Sequence, residues 1–217
     1  DFQSTLAAAS FTITDTADSE AVQVQGNLDV TTGMTVSAGT GAYNVSLTGA
    51  TNSIAGTTTF LNTGSVTIGD AATDSTTFSA GVSATAPGSI SMAGTVAASS
   101  GASTITLGDA DTGVSVSATG TSTVGGTATG LIDLGDVVLA DDAILVVGTG
   151  IANAINLDAV SGTAAGNASD LTIDTTGVVT VAGAVGTDIG TVTVTQSGGT
   201  DFQSTLAAAS FTITDTA

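Results

Sequence analysis

The chain has 217 residues and a formal net charge of −19, carried by 19 Asp and Glu side chains with no Lys, Arg or His. Without a cationic side chain it cannot neutralise phosphate and has no basic cluster to draw it to anionic lipid, so nucleic acid and charged membrane surfaces are excluded as partners. It also has no Cys, which removes disulfides, thiolate zinc sites and redox motifs and leaves stability to packing and backbone hydrogen bonds.

Hydrophobic residues make up 41%, enough to expect a folded chain, but only 3% are aromatic and none is Trp. A core of Ala, Val, Ile and Leu suits a narrow interior. The longest apolar run, residues 143–147 (AILVV), is far short of the roughly 20 residues that span a bilayer, so no membrane insertion is expected. No charged leader opens the chain, and any export signal is expected outside it.

Residues 1–17, DFQSTLAAASFTITDTA, return without change as residues 201–217. The duplication divides the chain into one full tandem period, 1–200, and the start of the next identical repeat, 201–217. On a repeating scaffold the two copies are expected to sit in equivalent environments.

Between them run short segments of β-branched or aromatic residues with period two, punctuated by Gly, Asp, Asn and Ser. Strands are predicted at 12–15, 22–25, 34–37, 45–48, 57–60, 66–68, 76–78 and 90–92. The series continues at 105–107, 114–116, 132–134, 144–147, 155–157, 171–173, 178–181 and 192–194. The alanine-rich stretch 5–10 is too short for an isolated helix and is expected as loop. The single proline, Pro87, marks a turn.

A fainter repeat lies inside the period. Residues 53–57 (SIAGT) are echoed at 91–95 (SMAGT), and 66–71 (VTIGDA) at 105–110 (ITLGDA), spacings of 38 and 39; a shorter echo runs from Val124 through Ile132 to Asp136. A spacing near 39 is compatible with two solenoid coils of about 20 residues, so ten coils would fill the period and, at about 4.8 Å each, give a rise of roughly 48 Å. The predicted fold is all-β, a parallel β-helix; the alternative is two tandem β-sandwich domains of about 100 residues each.

The Gly, Ala, Ser and Thr-rich runs at 89–96, 103–108 and 178–183 resemble the coils of filamentous-haemagglutinin and autotransporter-type β-helices. The resemblance implies a right-handed parallel β-helix in an exported bacterial surface or secreted fibre. The chain departs from those families in having no Lys or Arg and in its long identical repeat.

Two acidic groups stand at corresponding places of the faint repeat: Asp70 with Asp74, and Asp109 with Asp111. Closely spaced carboxylates beside Gly are what Ca²⁺ uses, which makes these four the candidate metal ligands and Ca²⁺ the one cofactor to test. No distant bidentate Glu follows, since Glu20 is the only Glu, and solvated Asx turns explain the same residues. Asp15, Asp18, Glu20, Asp141 and Asp142 read as exposed corners. Paired carboxylates also hydrolyse polysaccharides on some β-helices, but no side-chain cation is present to bind an acidic sugar, and Ser or Thr lacks a His or Lys to activate it. No enzyme is expected. Asn44 and Asn167 stand in N-glycosylation triplets that so much Ser and Thr produces by composition alone. The function expected is a structural repeat of an extracellular or cell-surface fibre, joined to copies of itself through residues 1–17 and 201–217. The alternative is a calcium-stiffened β-sandwich repeat of a surface adhesin.

Overall fold

The computed structural model describes residues 1–164 and 166–216. Among them there are twenty-four strands and no helix, and every strand pair is parallel. Alternation of apolar and polar residues gives each short strand one inward side, and parallel pairing from coil to coil satisfies the backbone of each face. The result is a β-solenoid of about nine coils of ~23 residues, longer than the twenty expected. The all-parallel ladders rule out the sandwich alternative, whose sheets are antiparallel.

Each coil visits three faces in a fixed order. On the first face Val24, Leu47, Ile68, Met92, Val116 and Leu139 stack with spacings of 21 to 24 residues. Leu28, Asn52, Thr76, Val96, Val124 and Val147 stack on the second. The third carries Ala84, Leu107, Leu134, Leu157 and Val181. Strand Leu28–Val36 bends round a corner, for Leu28 pairs on the second face while Val36 bridges Phe60 and so joins the third. All of these inward residues except the pair Asn52 and Thr76 are aliphatic, aromatic or Met, and all are buried. The bulkiest, Tyr43, Phe60 and Phe78, lie in neighbouring coils, with Phe60 and Phe78 edge to face at 6.2 Å and 85°. Elsewhere Val, Ile, Leu and Ala, with Met34 and Met92, make up most of the narrow interior.

Turning the chain at a corner strands backbone groups, and buried amides answer them. At the second-to-third corner Asn153 Nδ2 donates to the carbonyls of Ala128, at 2.9 Å, and Gly130, at 2.7 Å. At the third-to-first corner Asn62 Nδ2 donates to those of Tyr43 and Ser65. The bonds to Tyr43, Ala128 and Gly130 bridge one coil to the next and hold the stack in register, while the one to Ser65 closes the turn of Asn62 itself.

Most of the stretch 5–10, expected as loop, is strand: Leu6–Ile13 forms the first strand and pairs with Leu28–Val36. Alanine has little strand preference of its own, and here the neighbouring coil supplies the template.

Candidate functional site

The acids collect at corners. The Asp109 carboxylate closes a turn between the third and first faces, Oδ1 accepting the backbone N–H groups of Asp111 and Thr112 at 2.9 Å each. Thr112 fastens the turn to the coil below by donating to the Pro87 carbonyl at 2.7 Å. Asp74, nearly buried, does the same between the first and second faces, Oδ2 accepting from Asp70 N at 2.9 Å and Ala71 N at 3.0 Å. Asp70 and Asp74 are therefore together, and so are Asp109 and Asp111, but the two pairs stand at different corners. The faint repeat that made them correspond spans one and two-thirds coils instead of two, because 39 residues fall short of two coils of ~23.

Partial burial, and then the hydrogen bond and charge of Asp74, push the Asp70 carboxyl above its ordinary value; a protonated Asp70 donates to Asp74 where two carboxylates would repel.

A longer acidic edge runs up the third-to-first corner, where Asp109, Asp136 and Asp158 follow the ends of the stacked strands Ile105–Leu107, Ile132–Leu134 and Ile155–Leu157. Asp158 is pushed up by burial and by the negative charges of Asp136 and Asp133. The signal for Asp136 was present in the sequence, since Leu-Gly-Asp closes the strand at 107–109 and again at 134–136. Asp158 follows Leu157 without the Gly and was missed. At the same corner near the start of the chain, Asp15 accepts Thr40 Oγ1 at 2.6 Å and Thr40 N at 3.0 Å, which holds its carboxyl below the ordinary value. Asp18 accepts Ala42 N at 2.8 Å. Asp141 and Asp142 occupy the first-to-second corner and accept from Thr163 and Asn167. Among the described residues no three acidic side chains converge as metal ligands would. Asn44 spends its amide within the stack, donating to Ser19 O and accepting from Ser65, whereas Asn167 is exposed.

The chain ends form the second candidate site. On the first face the ladder begins at Phe2, bridged to Val24, and ends at Leu206, bridged to Val185. On the second it runs from Leu6 to Ile213. On the third it runs from Ile13 to Phe202. Every ladder thus starts on a residue of the first copy of the duplicated segment and ends on one of the second. Both copies are ordered in sheets, but their environments differ from the equivalence expected. Phe2, Leu6 and Ile13 occupy the first, second and third faces, whereas Phe202, Leu206 and Ile213 occupy the third, first and second. The reason is arithmetic: 200 residues are eight and two-thirds coils of ~23. The aromatic contact is kept, with Phe2 and Phe11 edge to face at 5.9 Å and 86° and Phe202 and Phe211 at 5.6 Å and 89°. Leu6–Ile13, however, is one continuous strand, whereas the equivalent residues 206–213 are strand only at Ser210–Ile213, with a single bridge at Leu206. Phe2 at one end, and Phe211 and Ile213 at the other, are 40 to 51% exposed although their columns point inward. Compared with known proteins, the chain matches no family model, no curated protein and no solved structure.

Proposed function

We propose that this chain is a structural, non-catalytic unit of an extracellular or cell-surface fibre, continued end to end by further copies of itself. One observation carries the reading: each of the three ladders runs from one copy of the repeated segment to the other, and Phe2 at one end and Phe211 and Ile213 at the other stay 40 to 51% exposed on inward columns that a further coil would cover. In solenoids, unfinished ends are where a neighbouring repeat docks, since polar caps are what keep isolated arrays soluble. The resemblance to haemagglutinin and autotransporter coils supports the same surface setting.

The corner carboxylates serve this reading as turn caps. Oδ1 of Asp109 and Oδ2 of Asp74 are already engaged by backbone N–H groups, and each turn adds one further carboxylate, Asp111 or Asp70. Among the described residues no third acidic side chain converges on either pair, which falls well below the six to eight oxygens Ca²⁺ takes. We assign them to the fold, with Ca²⁺ as the competing role.

Mass per length measured on filaments of the full-length protein tests the proposal. A single-chain fibre has about 23 residues per 4.8 Å of axis, with a matching meridional spacing. Beads on linkers, or particles that never exceed one unit, would defeat it.

A further inference from the structure

We infer that successive 200-residue periods are turned by one face relative to one another, so that each unit receives the next copy of the chain displaced by a third of a turn. The inference rests on the end-to-end array proposed above and says how its units meet.

Three observations carry it. From Phe2 to Leu206 the first-face ladder takes nine coils, and Phe202 stands one face before Leu206, so the sequence period equals eight and two-thirds coils. The faint internal repeat shifts in the same sense: Ile54 lies on the second face and its echo Met92 on the first, while Ile68 lies on the first and its echo Leu107 on the third. Duplicated sequence in this chain therefore keeps the frame of the face and ignores that of the coil. Finally, the edge-to-face contact of Phe2 with Phe11 recurs between Phe202 and Phe211 after the shift.

All three faces accept the same segment because each asks for the same thing, an inward apolar column with small or polar residues at the corners. In a continued chain the residues equivalent to 21–24 would lie above Phe202 on the third face, as Val24 lies above Phe2 on the first. Each unit advances the fibre by about 42 Å, and the fourth unit restores the orientation of the first after 26 coils, about 125 Å. The shift also keeps the acidic edge at Asp109, Asp136 and Asp158 from running as one unbroken ridge, since it moves to another corner with each period.

The test uses a chain of three periods, residues 1–200 three times followed by 1–17, with Val138→Cys in each period. Val138 faces outward on the first face and is 41% exposed, so a biotin–maleimide and streptavidin label there leaves the interior alone. Electron micrographs should show one unbroken rod with labels about 42 Å apart along the axis and about 120° apart around it, after the slow twist of the rod itself is subtracted. Three labels along one side of an unbroken rod would overturn the rotation and leave the array standing. Separate particles on linkers would overturn the array and the rotation with it.

Discussion

Phe2 and Phe202 hold the same position in two copies of one segment, yet Phe2 is bridged to Val24 on the first face and Phe202 pairs with Val181 on the third. Local sequence decides where the corners fall and how Phe2 meets Phe11 or Phe202 meets Phe211. The number of residues accumulated in the intervening coils decides the face. If local shape is independent of the face, Phe2→Ala and Phe202→Ala should cost the 217-residue chain similar stability, about 1 kcal/mol each beyond lost area for the edge contact. Urea midpoints check this. A loss at one end several times that at the other would show that the faces are not interchangeable.

A second expectation concerns Asn153, whose amide donates to two carbonyls inside the second-to-third corner. Asn153→Ala leaves both acceptors buried without a partner and should lower stability by about 2 to 4 kcal/mol. Asn167→Ala removes an exposed bond to Asp142 and should stay within about 0.5 kcal/mol. Equal losses for the two variants would contradict the amide's role in holding coils together.

Gly148 and Gly101 separate two costs of a Cβ. At Gly148, φ is +91° and an added Cβ would press on the Asp174 carbonyl; at Gly101, φ is +54° and nothing lies within 4 Å. Gly101→Ala should cost about 1 kcal/mol of left-handed strain, whereas Gly148→Ala adds a clash between coils and should cost clearly more. Thermal melts of both variants give the comparison.

Strands were legible in the sequence wherever β-branched residues alternate with polar ones, and 105–107, 114–116, 132–134 and 155–157 come out with their predicted limits. Strands such as Thr95–Ala98 and Gly120–Gly126 escaped because their Ala, Gly and Ser residues carry little strand preference and interrupt the alternation, and they are extended by the coils above and below. Coil length was misjudged for a related reason. The spacing of 39 marks five faces, and only the ladders reveal that three faces make a coil. For the acids, pairing within a turn was legible from spacing, while stacking across coils, as for Asp109, Asp136 and Asp158, depends on that same hidden count.

The pH dependence follows from opposing shifts. Asp70 and Asp158 are raised above the ordinary 3.8, chiefly by burial, so their contribution is full below that value and is lost as pH rises through their raised values. Asp15 is lowered, chiefly by its Thr40 hydrogen bond, so its contribution is present above 3.8 and is lost as pH falls through its lowered value. Stability should therefore rise on acidification from neutrality towards about pH 4, helped by falling self-repulsion, and then decline. Melting curves of Asp70→Asn and Asp158→Asn should show a flatter rise, and those of Asp15→Asn a weaker acid decline. A wild-type midpoint that only falls below neutrality would refute this assignment.

Salt and calcium make the last test. Removing Asp201 and Asp215 from the 19 acids leaves 17 per 200-residue period, which over a rise of about 42 Å is about one charge every 2.5 Å. That density is of the same order as that of double-stranded DNA, so cations must gather along the fibre. Two carboxylates on adjacent coils at about 4.8 Å repel by about 0.9 kcal/mol in water, and the relief is either diffuse screening or a specific ion. Asp109 Oδ1 is committed to the N–H groups of Asp111 and Thr112, which favours screening. The midpoint should rise smoothly with NaCl, stay unchanged when chelator is added at constant ionic strength, and respond alike to Ca²⁺ and Mg²⁺. Asp109→Ala should cost about 1 kcal/mol with or without Ca²⁺, as loss of a turn cap does, whereas Asp111→Ala should be neutral or stabilising because it deletes only charge. A Ca²⁺-specific rise in the midpoint that Asp111→Ala abolishes would instead make this corner a metal site.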